Sequence, residues 1–428
     1  MTTQDLIQLH NKFDVQINQE WSFNDSRSTE SFTHNYHRYP AKFIPQVVKK
    51  LIEKYTVEGD TIADVFAGCG TTLVESKLHG RACIGVDINP VARLITDAKI
   101  NPLKPELIQE EYGKLESYMA RYHGNKTYYK AQHPRINYWF RRWEKNKIAF
   151  LYHRILKIED TKIKTFYLCA LSNVLKNCSR WLQDSTKPQI DPNKKIAEPF
   201  SSFSMQVKKM ITKNKLFYEE LKRNGNLDVN CRINLADARN TRITSESISA
   251  VITSPPYVTS YEYADIHQLT GYWYEYISDL PTFRKAFIGT FYSNSQSNLS
   301  VASPTAQAIV ESLQNSDKKV AKEVVNYFND MNDVAREMKR ILSPKGVICM
   351  VMGNTTLRNV KIKSAEAFAE ILSSHEFLIE EVIRRPIPNK HIPPTRDIIT
   401  GKFTAPDCEN SKKVYPDEFI IVARKPII

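Results

Sequence analysis

A serine, two prolines and a tyrosine follow one another at positions 254–257, directly after an apolar run at 249–253. The run holds β-branched residues flanked by small ones, which is typical of a buried parallel strand. The prolines end such a strand because neither has an N–H group to donate. We therefore expect a turn that presents the Ser254 hydroxyl, the carbonyl group of Pro255 and the ring of Tyr257. Such a set of groups suits a planar guest that forms hydrogen bonds.

Residues 61–80 have the pattern of a strand, a glycine turn and a helix. Gly68 and Gly70 can adopt positive φ and allow close approach to the backbone, and the helix beyond them offers free N–H groups to an anion. A second predicted strand ends at Asp87, 23 positions after Asp64. An acid about 20 residues along binds ribose hydroxyls in nucleotide-binding βαβ units. The pattern predicts a nucleotide-type cofactor. A nicotinamide dinucleotide is an alternative, although a threonine replaces the third glycine of its usual pattern.

The composition indicates a globular protein with an anionic partner. The 428 residues are 42% hydrophobic, which is enough for one large domain or two ordinary ones. The net charge of +13 favours nucleic acid over a membrane, because no basic amphipathic terminal helix accompanies it. No apolar run reaches the length of a membrane span and the start is too polar for a signal peptide, so we expect a cytoplasmic protein without a membrane partner. The seven cysteines form no Cys-x-x-Cys pair and the histidines have no metal spacing, which predicts reduced thiols and no metal site.

The stretch 102–230 changes to a helical period and predicts a helical insertion. Between residues 121 and 164 there are twelve lysines and arginines but only three acids, and aromatic residues are interleaved with them. Cations that neutralise phosphates and rings that contact bases favour DNA binding here, with Arg141 and Arg142 as candidates. Trp139 and Trp143 are four residues apart, which predicts one buried helix face.

A helix predicted over 165–182 ends near Arg180, which is a further candidate for DNA contact. A cation is also favoured at a helix carboxyl terminus by the helix dipole alone, so that alternative stays open. After the serine-proline turn, an aromatic-rich segment at 260–276 is predicted to be helical and to wall a base pocket. The side chains that could reach a base there are Tyr261, Tyr263, Asp265 and His267.

The last third of the chain returns to sheet architecture. A helix at 320–342, strands at 347–352, 377–384 and 418–423, and a helix at 365–373 are predicted. The last two strands suit an antiparallel hairpin, and the basic loop between them is a second candidate for DNA contact through Arg384, Arg385, Lys390, Arg396 and Lys402. The polar stretch 287–317 is predicted to be a mobile loop, and residues 1–30 have no usable period apart from Trp21 and Phe23 as anchors.

Ser254, Pro255, Pro256 and Tyr257 resemble the catalytic motif of amino-directed DNA methyltransferases, and serine in the first place resembles the cytosine-N4 branch. The run Asp-Val-Phe-Ala-Gly-Cys-Gly-Thr-Thr at 64–72 resembles the S-adenosylmethionine loop of the same family, with Cys69 where serine is more usual. The run Gly-Val-Asp-Ile-Asn-Pro at 85–90 continues the resemblance. The cofactor loop precedes the catalytic motif by some 180 residues, as in the class in which target recognition lies between the two.

The resemblance implies a doubly wound, seven-stranded Rossmann-like α/β sheet. It divides the chain into a cofactor-binding half at 1–101, the helical insertion as target-recognition region at 102–230, and a catalytic half at 231–428. It implies a catalytic set of Ser254, Pro255, Pro256 and Tyr257. The implied S-adenosylmethionine site comprises His37, Lys42, Asp64, Phe66, Gly68, Gly70, Thr71, Asp87 and Asp237. The candidate DNA contacts are Arg141, Arg142, Arg180 and Tyr261.

The function that the resemblance implies is transfer of a methyl group to the N4 amine of a flipped cytosine in double-stranded DNA. Such an enzyme would protect host DNA in a restriction-modification system whose endonuclease acts separately. Adenine-N6 transfer by the same residues is the nearest alternative, because the first motif residue is only a guide to the base. An RNA or protein-glutamine methyltransferase, and a nucleic-acid-binding protein without catalysis, are further alternatives.

Overall fold

A seven-stranded sheet lies at the centre of the protein. The computed structural model describes residues 2–23, 30–130, 133–185, 187–258, 262–288, 300–387, 395–397, 404–405, 407–413 and 417–427. The strand order of the sheet is β3-β2-β1-β4-β5-β11-β8. Its strands are β1 (Thr61–Asp64), β2 (Ala82–Asp87), β3 (Cys231–Leu235), β4 (Ile248–Thr253), β5 (Leu342–Met352), β8 (Leu378–Pro386) and β11 (Asp417–Arg424). Two small ribbons are formed by β6 (Thr355–Leu357) with β7 (Val360–Ile362), and by β9 (Thr395–Asp397) with β10 (Ser411–Lys413).

The five strands from β3 to β5 are parallel, and β11 is antiparallel to both of its neighbours, β5 and β8. The chain first extends the sheet from β1 through β2 to β3, and then from β4 to β5 on the other side. The strand order therefore reverses between β1 and β4, which is where open α/β sheets bind their ligands. The predicted seven-stranded Rossmann-like sheet and its late antiparallel pair are confirmed.

Helices cover both faces of the sheet. The α-helices are α1 (Thr3–Asn11), α2 (Pro45–Tyr55), α3 (Thr71–Leu78), α4 (Pro90–Ile100), α5 (Pro105–Ala120), α6 (Pro134–Trp139), α7 (Arg142–Ile155), α8 (Thr161–Val174), α9 (Pro199–Arg223), α10 (Tyr263–Ile266), α11 (Gln268–Trp273), α12 (Leu280–Lys285), α13 (Pro304–Gln314), α14 (Lys318–Ile341) and α15 (Ser364–Ser374). Two short 3-10 helices lie at Gln19–Trp21 and Phe32–Asn35.

The pleat of the sheet sorts its apolar residues into two cores. Ala63 and Val251 pack with α13, α14 and α15 on one face, whereas Ile62 and Ile252, their neighbours in sequence, pack with α2 and α3 on the other. Successive strand residues point to opposite faces, so a doubly covered sheet needs an uninterrupted apolar run. This is why β4 reads as a continuous apolar segment.

The stretch that we assign to the insertion, 102–230, forms helices α5 to α9. A third hydrophobic cluster joins these helices to α4 and α11. Trp139 and Trp181 stack within it, with ring centroids 4.9 Å apart. Among the described residues, the nearest approach to strand pairing in this stretch is one bridge, between Trp181 and Ile190. The boundaries of the insertion and its role in target recognition stay predictions.

Several local predictions were wrong. Trp143 is 60% exposed and does not share a helix with the buried Trp139, because Phe140 and Arg141 are extended and separate α6 from α7. Helix α8 ends at Val174, well before the predicted end at 182.

Two further helices lie where none was predicted. The amino-terminal α1 is capped by Thr2, whose hydroxyl accepts from the Asp5 N–H. Helix α13 occupies part of the stretch predicted as a mobile loop, and residues 289–299 of that stretch lie outside the described residues.

Candidate active site

The glycine turn between β1 and α3 has the backbone geometry that the sequence predicts. Gly68 has φ +50° and Gly70 has φ +76°, both in the left-handed region that favours glycine. A Cβ at Gly70 would lie 2.6 Å from the Thr96 methyl group, so a side chain has no room there. Thr71 begins α3 and is buried, and the first N–H groups of this helix have no partner within it. The turn therefore presents backbone donors beside the switch point of the sheet.

Asp87 closes this turn at the end of β2. Its two carboxylate oxygens accept from the N–H groups of Gly68 and Asn89, each over 2.8 Å. Burial raises the pKa of Asp87 to about 6, although both backbone N–H groups favour the ionised form. Each oxygen keeps one lone pair for a further donor. Asp87 can therefore receive two ribose hydroxyls, as the sequence predicts.

Two residues of helix α4 that the sequence analysis missed form hydrogen bonds to the glycine turn. The Thr96 hydroxyl donates to the Gly68 carbonyl over 3.0 Å, and the fully buried Lys99 donates to the Cys69 carbonyl over 2.8 Å. The sequence analysis does not predict a helix at residues 90–100, and a lysine in an amphipathic helix normally faces water, so the residue type of Lys99 gave no signal. The spacing of Lys99 was the usable signal, because Thr96 and Lys99 are three residues apart and share one face of α4 with Ala92.

Asp64 connects the end of β1 to the end of β4. It is 3% exposed, and one of its oxygens accepts from the Phe66 N–H over 3.1 Å and from the Thr253 hydroxyl over 2.6 Å. Thr253 is the last residue of β4 and lies directly before the serine-proline turn. Burial raises the pKa of Asp64 to about 6. Asp64 thus holds the two strand ends together, and its predicted role in cofactor binding stays a prediction.

The turn at 254–257 leaves the carboxyl end of β4 next to the glycine turn. Ser254 is half-buried, Pro255 is buried and Pro256 is half-buried. Within the described part of the chain, no group donates to the carbonyl oxygens of Ser254 or Pro255, and the Ser254 hydroxyl has no hydrogen bond. Three polar atoms of the turn are therefore available to a ligand.

Tyr257 is held more firmly than the sequence suggests. Its hydroxyl donates to the Glu418 carboxylate over 2.9 Å, and its ring packs on Gly353 at the end of β5. Burial and the neighbouring carboxylate keep the pKa of Tyr257 well above its usual value, so the hydroxyl is a donor at neutral pH. The ring is partly buried against the core beneath the turn.

The structure brings other predicted cofactor residues to the same edge, with different surroundings. The His37 ring is hydrogen bonded at both nitrogens, to the Arg38 carbonyl and the Ser172 hydroxyl, and burial lowers the pKa of His37 to about 4. Burial also lowers the pKa of Lys42. Phe66 is half-buried beside the sheet. Neutral His37 is a poor partner for a carboxylate, so Lys42 is the better candidate of the two.

Asp237 lies two residues beyond the end of β3. Its carboxylate is paired with Arg239, which also donates to Asp330 over 2.6 Å. The neighbouring Ala236 N–H donates to the Asp87 carbonyl over 3.1 Å, which places Asp237 close to the cofactor turn. Its role as an acceptor for the adenine amine stays a prediction, because the arginine already occupies the carboxylate.

Aromatic side chains cover the glycine turn. The Tyr39 ring lies 3.4 Å from where a Cβ of Gly68 would be, and it stacks on Tyr263 with centroids 5.6 Å apart. His267 lies beside Tyr39, with centroids 5.1 Å apart, and its Nδ1 bonds the side-chain amide of Asn89 over 2.7 Å. The Asn89 oxygen accepts from the Val91 N–H, so the amide nitrogen is the donor to His267.

His267 therefore carries its proton on Nε2. This nitrogen is buried and has no hydrogen-bond partner among the described residues. Burial lowers the pKa of His267 to about 3, which keeps the ring neutral. The sequence placed His267 among groups that could reach a base. Asn89, the hydrogen-bond partner of His267, was not singled out from the sequence. The Asn89-Pro90 pair could have indicated it, because asparagine before proline is typical of a helix start.

The candidate DNA contacts differ in whether their side chains are exposed or already hydrogen bonded within the protein. Arg141 and Arg142 are exposed at the start of α7. Arg180 instead donates to the carbonyl groups of Asn137 and Tyr138 at the end of α6. Tyr261 lies outside the described residues. The arginines at 141 and 142 thus fit a surface contact better than Arg180 does.

The second basic candidate, the loop after β8, needs a correction. Arg384 and Arg385 belong to β8 and are paired with Asp417 and Glu418 of β11. Arg385 is fully buried and cannot contact DNA from the surface. Lys390 and Lys402, with the Arg396 side chain, lie outside the described residues.

In the part of the chain that the structure describes, no helix is long and apolar enough to cross a bilayer.

A family model described as DNA methylase, for N6 and N4 methyltransferases, matches residues 2–97. This part of the chain is therefore similar to the N6/N4 DNA methylases. The type II methyltransferase M.MvaI of Kocuria varians is 26% identical over 397 residues, which are 86% of this chain and 86% of that protein. The type II methyltransferase M.MjaII of Methanocaldococcus jannaschii is 43% identical over 67 residues, which are 16% of this chain and 13% of that protein.

Solved methyltransferase structures overlap the chain at low similarity. A SAM-dependent methyltransferase from Methanosarcina mazei covers 92% of this chain and all of its own, with a TM-score of 0.30 and 9% identity. The rRNA methyltransferase AviRa from Streptomyces viridochromogenes covers 91% of this chain and 88% of its own, with a TM-score of 0.31 and 10% identity. The fold assignment rests on the strand order, because scores this low carry no weight.

S-adenosylmethionine is the cofactor that the relationship to DNA methylases implies, and the residues present fit it. Gly68 and Gly70 carry no side chains of their own, and α3 starts there with N–H groups that have no partner within the helix. Asp87 keeps acceptor capacity for ribose hydroxyls after its two backbone bonds. Lys42 would meet the carboxylate of the methionine part.

Proposed function

We propose that this protein is a type II DNA methyltransferase that methylates the exocyclic N4 amine of cytosine and protects host DNA in a restriction-modification system. The observation that carries the proposal is the junction of the two strand ends. Thr253, at the end of the catalytic strand, donates to Asp64, at the end of the cofactor strand, over 2.6 Å. The serine-proline turn and the glycine turn are therefore neighbours at the switch point of one sheet.

The relatives support the substrate class and the type of system. The DNA methylase match covers the residues that build the glycine turn and Asp87, and M.MvaI is a type II methyltransferase that spans most of the chain. The exposed cations at Arg141 and Arg142, with the net charge of +13, suit a DNA backbone. DNA would then contact the helical insertion while one base enters the cleft.

The turn can activate an amine without a covalent intermediate. The lone pair of a cytosine amine is conjugated into the ring, which makes the nitrogen a poor nucleophile. The Ser254 hydroxyl and the Pro255 carbonyl can accept its two hydrogens, since no described residue occupies either oxygen. These bonds localise the lone pair on nitrogen and hold it in line for transfer. S-adenosylmethionine supplies the methyl group as a sulfonium substituent, and the amine proton leaves to water or to Ser254.

The base must leave the duplex first, because its amine is paired there. Flipping costs a few kcal/mol, and stacking on an aromatic ring returns about 1–3 kcal/mol. Tyr257 is the ring next to Ser254, and its place beside Gly353 is fixed. Serine as the first motif residue favours cytosine-N4 over adenine-N6, which is the second candidate reaction.

The test is transfer of label from tritiated S-adenosylmethionine to unmethylated phage DNA. We expect transfer by the wild type and a loss of at least about a hundredfold in kcat for Ser254→Ala, with unchanged cofactor affinity. Asp87→Ala should show the opposite pattern, with weak cofactor binding. Ser312→Ala removes a hydroxyl that bonds only within α13 and serves as the matched control. Full activity of Ser254→Ala would refute the proposed role of the turn.

A further inference from the structure

A buried ion pair lies behind the Tyr257 ring. The Tyr257 hydroxyl donates to one oxygen of Glu418 over 2.9 Å, and an Arg385 Nη donates to the other oxygen. Arg385 is fully buried, and the Glu418 side chain is 13% exposed. Glu418 and Arg385 are direct partners in the register of β11 and β8. A hydrogen-bonded path thus runs from the edge strand of the sheet to the catalytic turn.

The arginine is itself anchored by the amino-terminal segment. Its Nε donates to the Trp21 carbonyl over 2.8 Å, and Trp21 is 2% exposed. The neighbouring Asn18 N–H donates to the Arg384 carbonyl over 2.8 Å, which docks this segment on β8. The arginine therefore has little freedom to move away from Glu418. Arg385, at the end of the hydrogen-bonded path away from Tyr257, is thus held in place.

The other side of the ring is fixed by a glycine. A Cβ at Gly353 would lie 3.1 Å from Cε2 of Tyr257, closer than most side-chain contacts. Gly353 directly follows β5, so the ring rests on the backbone of a central strand. The bond from the hydroxyl to Glu418 then sets the rotation of the ring about this contact.

A buried ion pair is a weak source of net stability, because the cost of removing both charges from water offsets their attraction. Its hydrogen bonds are directional and strong, since one partner is a carboxylate. A bonded group is held in one orientation by such an acceptor. At this place the bonded group is the aromatic residue of the catalytic turn.

We propose that Glu418, held by Arg385, is a positioning residue that fixes the Tyr257 ring as the stacking surface for the flipped base. This inference rests on the proposed function. Neither residue touches the reacting atoms, and the effect acts through Tyr257. A ring free to turn would stack the base less often in the geometry that places its amine against Ser254.

The test compares Tyr257→Phe, Glu418→Gln and the double variant by kcat and by the KM for S-adenosylmethionine, well below the unfolding temperature. We expect each single variant to lower kcat about tenfold with unchanged cofactor KM. The double variant should lose little more than either one, because both break the same path. Gly353→Ala, which pushes the ring from the other side, should also lower kcat.

Tyr327→Phe is the matched control. Its hydroxyl is buried near Tyr257 and has no hydrogen-bond partner in the described part of the protein, so this change removes no bond. We expect wild-type kcat for it. Wild-type kcat for Tyr257→Phe, or losses that multiply in the double variant, would overturn the positioning role while the proposed function stands. Absence of any transfer by the wild type would overturn the proposed function itself.

Discussion

The Thr253 hydroxyl donates to the Asp64 carboxylate over 2.6 Å, and both groups are buried. Thr253 ends β4 and Asp64 ends β1, so one hydrogen bond joins the strand before the serine-proline turn to the strand before the glycine turn. The two parallel strands are neighbours in the sheet. A bond of this kind fixes the distance between the two turns as well as stabilising the fold.

Thr253→Val should destabilise the protein. Valine has nearly the same shape, but it leaves the buried Asp64 without its hydroxyl donor, which costs about 1–3 kcal/mol in the free energy of unfolding. Urea unfolding measures the change. Thr212→Val, at an exposed helix position, is the control and should change stability by less than about 0.5 kcal/mol. Equal stabilities for the two variants would show that the bond to Asp64 contributes nothing.

The stability should also depend on pH through Asp64. Burial raises its pKa to about 6 in the folded protein, whereas an unfolded chain has about 3.9. Between these values the folded protein keeps a proton that the unfolded chain releases. The contribution of Asp64 to the free energy of unfolding therefore falls by roughly 3 kcal/mol as pH rises from about 4 to 6 and is constant above that.

Asp64→Asn removes this contribution, so the stability of the variant relative to the wild type should rise between pH 4 and 6 and stay higher at pH 7. Unfolding by urea at several pH values measures it. Asp184→Asn, at an exposed position, is the control for the replacement. A pH profile of Asp64→Asn that coincides with the wild type would contradict the buried, proton-binding carboxyl.

Cofactor affinity should weaken in acid through Asp87. Ribose hydroxyls donate to its ionised carboxylate, and burial raises the pKa of Asp87 to about 6. Protonation below that pH removes an acceptor, so the Kd for S-adenosylmethionine should rise, by up to about tenfold per pH unit. Calorimetric titration between pH 5 and 8 measures this. Asp87→Asn should bind weakly with a flat profile in this range, and a wild-type Kd that is constant from pH 5 to 8 would argue against Asp87 as the ribose acceptor.

DNA affinity should depend on the exposed arginines at the start of α7. Arg141→Ala with Arg142→Ala should weaken DNA binding and lower the salt slope of the affinity by about 2, one unit for each lost phosphate contact. Arg232→Ala with Lys345→Ala is the charge-matched control. These exposed cations lie near the starts of β3 and β5, at the edge of the sheet opposite the catalytic turn. Equal salt slopes for the two double variants would remove Arg141 and Arg142 from the DNA interface.

Much of the sheet was predictable because its strands are doubly buried and therefore apolar throughout, as at 249–253. The glycine turn was predictable because positive φ at Gly68 and Gly70 needs a particular residue type. The position of Asp87 followed from spacing. These features depend on local sequence, which is why the cofactor half of the site could be outlined in advance.

The surroundings of these residues could not be predicted, because they come from distant parts of the chain. Arg385 looked like a basic loop residue, since its partner Glu418 is 33 residues away and the bond to Trp21 spans 364. Lys99 is buried, and its ammonium group donates to the carbonyl of Cys69, which lies 30 residues away in the sequence. Trp143 was predicted to share a buried helix face with Trp139, but the two residues lie in different helices. A spacing of four residues indicates a shared face only when one helix contains both residues.

Mass spectrometry of nucleosides tests directly whether the turn at 254–257 directs methylation of an exocyclic amine of a DNA base, and whether that base is cytosine. Unmethylated DNA would be incubated with the protein and deuterium-labelled S-adenosylmethionine, digested to nucleosides and analysed by mass spectrometry. Labelled N4-methylcytosine is the predicted product, and it should be absent with Ser254→Ala. Labelled N6-methyladenine would contradict the assignment of cytosine from Ser254, and label on ring carbon as 5-methylcytosine would contradict the amine chemistry of the turn.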